Sequence, residues 1–408
     1  MRKRFREHKG EISMEFKFAD RMGNLKASAI REILKFATDP SVISFAAGNP
    51  APEAFPVEQI RKISGEILQE HPIDALQYSI SEGSIPLREN IKKVILSKEE
   101  IVKDWDDVII TSGAQQGIEL SCKVLCNDGD TLICENPSFI GSLNSFKSYG
   151  VHLVGVEMEE GGISLEKMEQ ALKENPNTKL IYVIPNFQNP SGTTMSLEKR
   201  KGLLELAKKY DVMILEDNPY GDLRFAGEHV PSIKSMDTDG RVIYSGSFSK
   251  VLAPGLRVGY LVAHKDFQQK ITICKQCSDV HTNIFGQMIC NRFLETVNYD
   301  EHIARLRKIY KHKSGLMLDG IQEHFSDAIT YAKPEGGLFI WCTLPDGVDM
   351  NAFCSTAVQK YKIAVVPGNT FLPREDMKTQ SFRMNYSTPT DEAIVKGVQI
   401  LGELSKTL

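Results

Sequence analysis

Near the middle of the chain, one lysine lies among serines, glycines and an arginine. The stretch reads Tyr244-Ser-Gly-Ser247-Phe-Ser249-Lys250, and Arg257 follows seven positions later. A lysine amine forms a Schiff base with an aldehyde, while hydroxyl groups and a guanidinium bind phosphate. These residues predict a site for a phosphate-bearing aldehyde cofactor, with Lys250 as the covalent residue and Ser247, Ser249 and Arg257 at the phosphate. Taken alone, the stretch also fits a surface turn with a solvated lysine.

Strand-like and helical patterns alternate around this lysine. Predicted strands cover 107–111, 131–134, 151–156, 180–184, 212–215, 241–244 and 258–262, and predicted helices cover 114–125, 164–175 and 196–210. Continuous Val, Ile and Leu runs that alternate with helices predict a mainly parallel sheet covered on both faces. Long helical patterns follow at 266–296 and 300–324. The remainder predicts a smaller α+β unit, with strands at 338–343, 364–366 and 382–386 and helices at 351–361 and from 390.

Four of these strands end in residues that suit such a cofactor. In open α/β sheets, ligands bind beyond the carboxyl ends of the strands. The strand at 107–111 leads into a glycine turn at 112–117 that opens a helix, where free N–H groups and the helix dipole attract anions. The strands at 180–184, 212–215 and 241–244 lead to Asn189, to Asp217 with Tyr220, and to Lys250. Together, these strand ends predict one binding site.

Pyridoxal phosphate matches this set of residues. Its ring nitrogen must stay protonated for the ring to withdraw electrons, and a buried Asp217 would enforce that. Tyr220 and Asn189 can hydrogen-bond the 3-oxygen of the ring, and Phe139 can stack on the ring. Singly, Asp217 also fits a turn cap, Tyr220 a core aromatic, Phe139 ordinary packing and Asn189 a turn former. Jointly, the residues favour the cofactor site.

The same residues resemble the motifs of fold-type I pyridoxal-phosphate-dependent aminotransferases of class I and II. The resemblance runs from about Ala27 to the C-terminus, and is closest to the branch of 2-aminoadipate and kynurenine aminotransferases. It rests on motifs that include Gly113-Ala-Gln-Gln, Gln188-Asn189-Pro-Ser-Gly, Glu216-Asp217-x-x-Tyr220, Ser247-Phe-Ser-Lys250, Pro254-Gly-Leu-Arg257 and Phe382-Arg383-Met-Asn-Tyr. Two departures stand out: Phe139 replaces a tyrosine that is frequent over the ring, and Ala114 replaces the usual hydroxyl residue.

The resemblance implies an α/β fold, with a large domain around a mainly parallel seven-stranded sheet and a smaller α+β domain. The implied divisions are a tail at 1–26, an N-terminal helix and arm at 27–50 that belongs to the small domain, a large cofactor-binding domain at 51–295, and a small C-terminal domain at 296–408. The N-terminal helix is predicted at about 28–38.

The resemblance also implies roles for individual residues. Lys250, Asp217 and Tyr220 would be catalytic; the cofactor would be bound by these three and by Gly113, Ala114, Gln115, Phe139, Asn189, Ser247, Ser249 and Arg257. Arg383 would bind the α-carboxylate of the substrate, and Asn189 and Gly48 would also bind the substrate. Tyr78 would reach the phosphate of a neighbouring subunit, in a homodimer whose subunits share active sites. Arg31, on the N-terminal helix, would bind a distal carboxylate or be a solvated helix charge.

The predicted reaction moves an amino group from an L-amino acid to a 2-oxo acid such as 2-oxoglutarate, by a two-stage ping-pong route. Donors of the 2-aminoadipate, aromatic, branched-chain or glutamate type all remain open. A β-lyase or decarboxylase on the same scaffold is the alternative, because substrate orientation selects the bond that breaks. An effector-sensing regulator is disfavoured, because the segment before Ala27 is short for a DNA-binding domain and has no helix-turn-helix pattern.

Composition narrows the classes of partner. The 408 residues carry a net charge of −4 and are 41% hydrophobic, which is ordinary for a globular protein and predicts neither nucleic-acid binding nor membrane association. Cys274 and Cys277 form the only C-x-x-C pair, without a second pair or a histidine pair, so no metal site is predicted. We expect a cytoplasmic protein with small-molecule substrates.

Overall fold

The computed structural model describes residues 16–19, 22–23 and 39–407. The predicted helix at 28–38, together with Arg31, lies outside these residues, as does most of the predicted tail. Within the described part of the chain, no helix is both long enough and apolar enough to cross a bilayer.

The strands and helices are numbered here in chain order. The strands are β1 (Ile43–Ser44), β2 (Asp106–Thr111), β3 (Thr131–Asn136), β4 (His152–Glu159), β5 (Gly162–Ile163), β6 (Thr178–Val183), β7 (Met213–Asp217), β8 (Val242–Ser247), β9 (Gly259–His264), β10 (Thr330–Tyr331), β11 (Phe339–Thr343), β12 (Ile363–Ala364), β13 (Val366–Pro367) and β14 (Ser381–Asn385). The α-helices are α1 (Val57–Glu70), α2 (Pro72–Leu76), α3 (Ile85–Asn90), α4 (Ala114–Leu125), α5 (Ile140–Ser148), α6 (Leu165–Glu174), α7 (Leu197–Lys209), α8 (Lys265–Gln276), α9 (Ile284–Thr296), α10 (Tyr299–His324), α11 (Met350–Gln359) and α12 (Asp391–Ser405).

The central sheet has the strand order β2-β9-β8-β7-β6-β3-β4-β5. Neighbours from β8 to β4 pair in parallel, whereas β9 pairs antiparallel with both β2 and β8. The predicted mainly parallel sheet is therefore confirmed. The two-residue β5 adds an eighth strand, because a turn through Gly161 and Gly162 (φ 72° and 117°) folds the chain back on β4.

Alternating side chains of the central strands pack on opposite faces of the sheet. In β6, Leu180 and Tyr182 belong to one buried cluster, whereas Ile181 and Val183 belong to another. All four are fully buried. A strand that is apolar on both faces needs cover on both sides, which explains the continuous apolar runs in the sequence. Helices provide this cover and leave the strand ends open.

A second sheet carries part of the site. Its order is β10-β11-β14-β13, all antiparallel, and Arg383 in β14 lies opposite Trp341 of β11 and Val366 of β13. The short β1 pairs in parallel with β12 and leads into residues 45–49. The domain boundaries at 50/51 and 295/296 stay predictions.

The helical pattern predicted over 266–296 is interrupted. The structure has α8 and α9 there, separated by residues 277–283. Val280 adopts a left-handed φ of 64°, and the Asn283 side chain accepts a hydrogen bond from the Gly286 N–H (2.7 Å) to begin α9. Periodicity alone could not reveal this break, because contacts with distant residues hold it.

Candidate active site

A cavity of about 340 Å³ opens at the carboxyl ends of the central strands. It is lined by residues from the ends of five strands (β2, β3, β6, β7 and β8), from segment 46–49 and from β14: Ala46, Ala47, Gly48, Asn49, Ala114, Gln115, Ile118, Phe139, Ile184, Asn189, Asp217, Pro219, Tyr220, Ser247, Ser249, Lys250, Pro254, Arg257 and Arg383. The strand ends that the sequence singled out therefore do converge.

Three of the predicted site residues are not among this lining. Gly113 lies directly behind the cavity, in the turn before α4. Tyr78 is 81% exposed on the surface, where its ring meets His281 edge-on at 5.8 Å between centroids. Arg31 lies outside the described residues. A role for Tyr78 in a neighbouring subunit stays a prediction.

Lys250 reaches the cavity on the loop that follows β8. Its Nζ donates a hydrogen bond to the backbone carbonyl of Gly48 (2.7 Å). Burial, helped by the positive charges of Arg383 and Arg257, lowers the pKa of Lys250 from 10.5 to about 8. A substantial fraction of the amine is therefore neutral near physiological pH and can act as a nucleophile or base.

Asp217 ends β7, is buried and lines the same cavity. Tyr182 donates a hydrogen bond to Oδ2 (2.8 Å), and Ser142 donates in turn to the Tyr182 hydroxyl (2.8 Å). Burial raises the pKa of Asp217 to about 7, partly offset by the Tyr182 bond. Its Oδ1 is buried and has no hydrogen-bond partner among the described residues. A buried carboxylate oxygen without a partner can accept a hydrogen bond from a ligand.

The turn before α4 shapes an anion site. Gly113 has a φ of +76°, and a Cβ there would lie 2.3 Å from the Arg257 guanidinium. Glycine is needed for both reasons. Arg257 Nη2 donates to the Ser112 carbonyl (3.3 Å), and Ser247 Oγ accepts from the Ser249 N–H (3.0 Å). Ala114 and Gln115, the first residues of α4, line the cavity, and the first N–H groups of a helix have no partner within it.

Gln115 contributes differently from its neighbours. Its side-chain amide donates to the Gly141 carbonyl (3.0 Å) and to Ser145 Oγ (2.7 Å), both in α5. The side chain therefore ties α4 to α5, which leaves the backbone N–H of Gln115 as its donor toward a ligand. Phe139 lies just before α5 and lines the cavity.

Arg383 is buried at the other end of the cavity. Nη1 donates to Asn189 Oδ1 (2.7 Å) and Nη2 to the Ala46 carbonyl (2.8 Å), while Phe339 and Phe371 flank the guanidinium at 4.3 and 4.9 Å. Burial lowers the pKa of Arg383 to about 10. Its Nε has no partner among the described residues, so the site can still bind an anion.

Sequence reasoning missed several supporting residues. Tyr182 fixes Asp217, and Phe339 packs both on Arg383 and edge-on against Tyr220 (5.8 Å). A signal for Tyr182 was present, because a phenol within an apolar strand needs a buried hydrogen-bond partner. Phe339 lies in a strand remote in sequence, and no local pattern places it here.

The residues present fit pyridoxal phosphate. The orphaned Asp217 Oδ1 suits a protonated ring nitrogen, the turn at 112–115 with Arg257 suits a phosphate, and Lys250 Nζ suits the aldehyde. Phe139 supplies a flat face between them. Each of these features is present in the protein's own contacts.

A second cavity, about 410 Å³, lies on the other side of Ser247 and Pro219. Its charged side chains are largely paired with one another: Lys98 binds Asp300, and His229 lies 3.3 Å from Glu99. Arg224 is paired with Glu335 (2.7 Å), and Arg307 donates to the backbone carbonyl of Asp222 (2.7 Å), so the first cavity is the better candidate for chemistry.

Comparisons with known proteins agree with this geometry. The sequence matches the family "Aminotransferase class I and II" over residues 40–401. It is 40% identical to aromatic-amino-acid aminotransferase 1 of Thermococcus litoralis, over 100% of this chain and 98% of that protein. The solved kynurenine aminotransferase of Pyrococcus horikoshii, in complex with PMP, KYN and KYA, matches with a TM-score of 0.91 at 38% identity. The match covers 96% of this chain and 97% of that chain. An α-aminoadipate aminotransferase of Thermus thermophilus, complexed with N-(5'-phosphopyridoxyl)-L-leucine, has a TM-score of 0.87 at 35% identity, with coverages of 96% and 97%.

Proposed function

The chain belongs to the class I and II aminotransferases, and on that premise we propose that it uses pyridoxal phosphate at Lys250 to move amino groups from an L-amino acid to a 2-oxo acid. The observation that carries this proposal is that one cavity holds both a lysine of lowered pKa, Lys250, and a buried carboxylate, Asp217, whose Oδ1 has no partner among the described residues. The two groups lie in one cavity with an anion site at each end.

When bound, the cofactor supplies an aldehyde for the amino group and a ring that accepts the electron pair left at Cα. Asp217 holds a proton at the ring nitrogen, since a cation beside Oδ1 favours the ionised carboxylate. Tyr220 and Asn189 orient the ring through its 3-oxygen. Arg383 binds the α-carboxylate and so directs the Cα–H bond toward Lys250.

Lys250 Nζ would take the proton from the substrate Cα and hold it during the transfer. Its lowered pKa leaves it partly neutral, as a base near its operating pH must be. The Gly48 carbonyl accepts a hydrogen bond from this amine and so holds it within the cavity. Both half-reactions use the same lysine, so we propose a ping-pong route with an oxo acid such as 2-oxoglutarate as acceptor.

A single-turnover experiment tests this proposal. The loaded protein is mixed with one amino acid at a time and without an oxo acid. We expect pyridoxamine phosphate and the matching 2-oxo acid in equal amounts. Release of carbon dioxide or of a β-substituent in place of pyridoxamine phosphate would identify the decarboxylase or β-lyase instead.

The homodimer is part of the proposal. Large apolar side chains are exposed on one stretch of the described chain: Ile73, Leu76, Tyr78 and Ile85. An apolar surface of this kind marks a protein interface, and a second copy of the chain would bring Tyr78 to the neighbouring phosphate. Sedimentation of the loaded protein should give twice the mass of the chain; a monomer at micromolar concentration would contradict it.

Substrate choice depends on the residues of the cavity that would meet the side chain of the substrate. The cationic residues in its described lining are Lys250, Arg257 and Arg383, and each already has a role. We propose that Arg31 pairs with a distal carboxylate such as that of glutamate or 2-aminoadipate. Arg31→Ala should raise KM for dicarboxylic donors about tenfold and leave aromatic donors unchanged. An equal change for every donor would contradict this role.

A further inference from the structure

Lys275, in the last turn of α8, is a buried lysine that the proposed chemistry does not use. Its side chain is 0% exposed. Nζ lies within hydrogen-bond distance of both Asp279 carboxylate oxygens (2.8 and 2.9 Å), Gln116 Oε1 (2.8 Å) and Thr282 Oγ1 (2.9 Å). These acceptors come from two separate parts of the chain, α4 and the break between α8 and α9. One ammonium therefore joins the two parts.

On one side, the contacts reach the phosphate turn, which is residues 112–115. Gln116 Oε1 also accepts from the Ser112 N–H (2.8 Å), and Ser112 Oγ donates to Asp279 Oδ2 (2.6 Å). The Ser112 carbonyl accepts in turn from Arg257 Nη2 (3.3 Å). The backbone of the phosphate turn is thus held from behind by Lys275 and its partners.

On the other side, the contacts reach the Tyr78 surface, which comprises Leu76, Tyr78, Val280 and His281. Val280 is β-branched and left-handed (φ 64°), a strained conformation that its surroundings must hold. The Lys275 carbonyl accepts from the Val280 N–H (3.2 Å), and Asp279 and Thr282 on either side of Val280 and His281 bind the Lys275 ammonium. The His281 ring then meets Tyr78.

A second buried side chain extends this link. Gln287 of α9 donates from Nε2 to the Thr282 carbonyl (2.8 Å), and its Oε1 accepts from the Ser84 N–H (2.8 Å). The segment that carries Tyr78 is therefore attached to the break between α8 and α9 at two points, by the His281 ring and by Gln287. Movement of that break would displace Tyr78.

We propose that Lys275 is a positioning residue that holds the phosphate turn and the Tyr78 surface in place together, so that its loss weakens both phosphate recognition and subunit association. The inference rests on the proposed function, in which the turn binds the cofactor phosphate and the surface meets a second copy. Two binding events that share one structural support are energetically linked.

The test compares two cofactors on the apoprotein, pyridoxal phosphate and pyridoxal, which has the same aldehyde without the phosphate. Lys275→Met should weaken pyridoxal phosphate at least about tenfold, since several bonds to a charged group are lost, and leave pyridoxal within about twofold. Affinities are measured by absorbance titration, without turnover. Equal losses for both compounds, or no loss, would overturn the inference.

Subunit association is the second readout. Lys275→Met should raise the dimer dissociation constant, measured by sedimentation, at least about tenfold. Lys270→Met is the matched control, because Lys270 is exposed on the same helix and should change neither quantity. An unchanged dissociation constant in Lys275→Met would refute the claim that Lys275 holds the Tyr78 surface in place.

Ser112→Ala keeps the Lys275–Asp279 pair and removes the contacts of Ser112 Oγ with Asp279 Oδ2 (2.6 Å) and Thr282 Oγ1 (3.2 Å). It should weaken pyridoxal phosphate selectively, by about threefold or more, and leave association unchanged. If Lys275→Met does not fold, the result for Ser112→Ala decides whether the inference stands. Wild-type protein that binds no pyridoxal phosphate or stays monomeric would refute the proposed function, whereas a normal wild type with an unaffected Ser112→Ala would refute only the inference.

Discussion

Two buried lysines of the large sheet region have opposite surroundings. Lys234 is 0% exposed, and its Nζ donates to Asp106 (3.0 Å) and to Asp237 (2.9 Å), both fully buried as well. Lys250 donates to one neutral carbonyl, that of Gly48, and its nearest charges are the guanidinium groups of Arg383 and Arg257. Lys234 therefore remains a paired cation, whereas Lys250 is driven toward the neutral amine.

The difference shows how a fold separates a structural amine from a reactive one. Carboxylates around Lys234 stabilise its charge, and a charged ammonium is not a nucleophile. Burial and the two neighbouring cations destabilise the charge of Lys250, which makes a bond to an electrophile favourable. Burial alone does not distinguish them; the sign of the neighbouring charge does.

Replacing the reactive lysine should have the largest effect on activity. Lys250→Met should lower the rate of the amino-acid half-reaction by about ten-thousandfold or more, because both the covalent residue and the base are lost. The variant should also lack the visible absorbance of a lysine-linked cofactor. Its free energy of unfolding should be unchanged or higher, as urea titration will show. Activity within tenfold of wild type would reject the assignment of Lys250.

Replacing the structural lysine should have the reverse outcome. Lys234→Met leaves the buried carboxylates of Asp106 and Asp237 without their cation, so we expect a loss of about 3–5 kcal/mol in the free energy of unfolding. Folded protein should retain its cofactor absorbance and half-reaction rate. A loss below about 1 kcal/mol, measured by urea titration, would show that the two lysines differ less than their contacts imply.

The smallest expected effect concerns pH. Only the neutral amine attacks the aldehyde, so attachment of pyridoxal phosphate to the apoprotein should speed up as the pH rises and level off above about 8, the lowered pKa of Lys250. Stopped-flow absorbance across this range measures it. A midpoint near the ordinary value of 10.5 would mean that burial and the two arginines do not act on this amine.

The sequence was sufficient for the parts of the site that follow strands. Asp217, Asn189 and Lys250 each come after an apolar run, and parallel strands bring their carboxyl ends to one edge by topology alone. The bounds of α4 were also predictable, since its apolar period begins after a glycine turn and stops at Leu125. Local pattern and global fold agree in these places.

Other parts could not be predicted, because they depend on contacts between distant residues. The break at 277–283 is held by Gln116 and Ser112, more than 150 positions away in the chain. Residues 51–105 form α1, α2 and α3, for which no elements were predicted. Tyr182 was read only as part of a strand, and its bond to Asp217 becomes visible only when β6 and β7 pair.

Two backbone carbonyls of segment 46–49 hold charged side chains of the cavity. The carbonyl of Ala46 accepts a hydrogen bond from Arg383, and that of Gly48 accepts one from Lys250. Because backbone atoms make these two contacts, the contacts remain when the side chains of the neighbouring lining residues are substituted. Ala47 and Asn49 can therefore vary in size and polarity while the catalytic charges stay where they are. Under the proposed function, the lining that would meet the substrate is thus uncoupled from the groups that would act on it, and a single scaffold can acquire new specificity one side chain at a time.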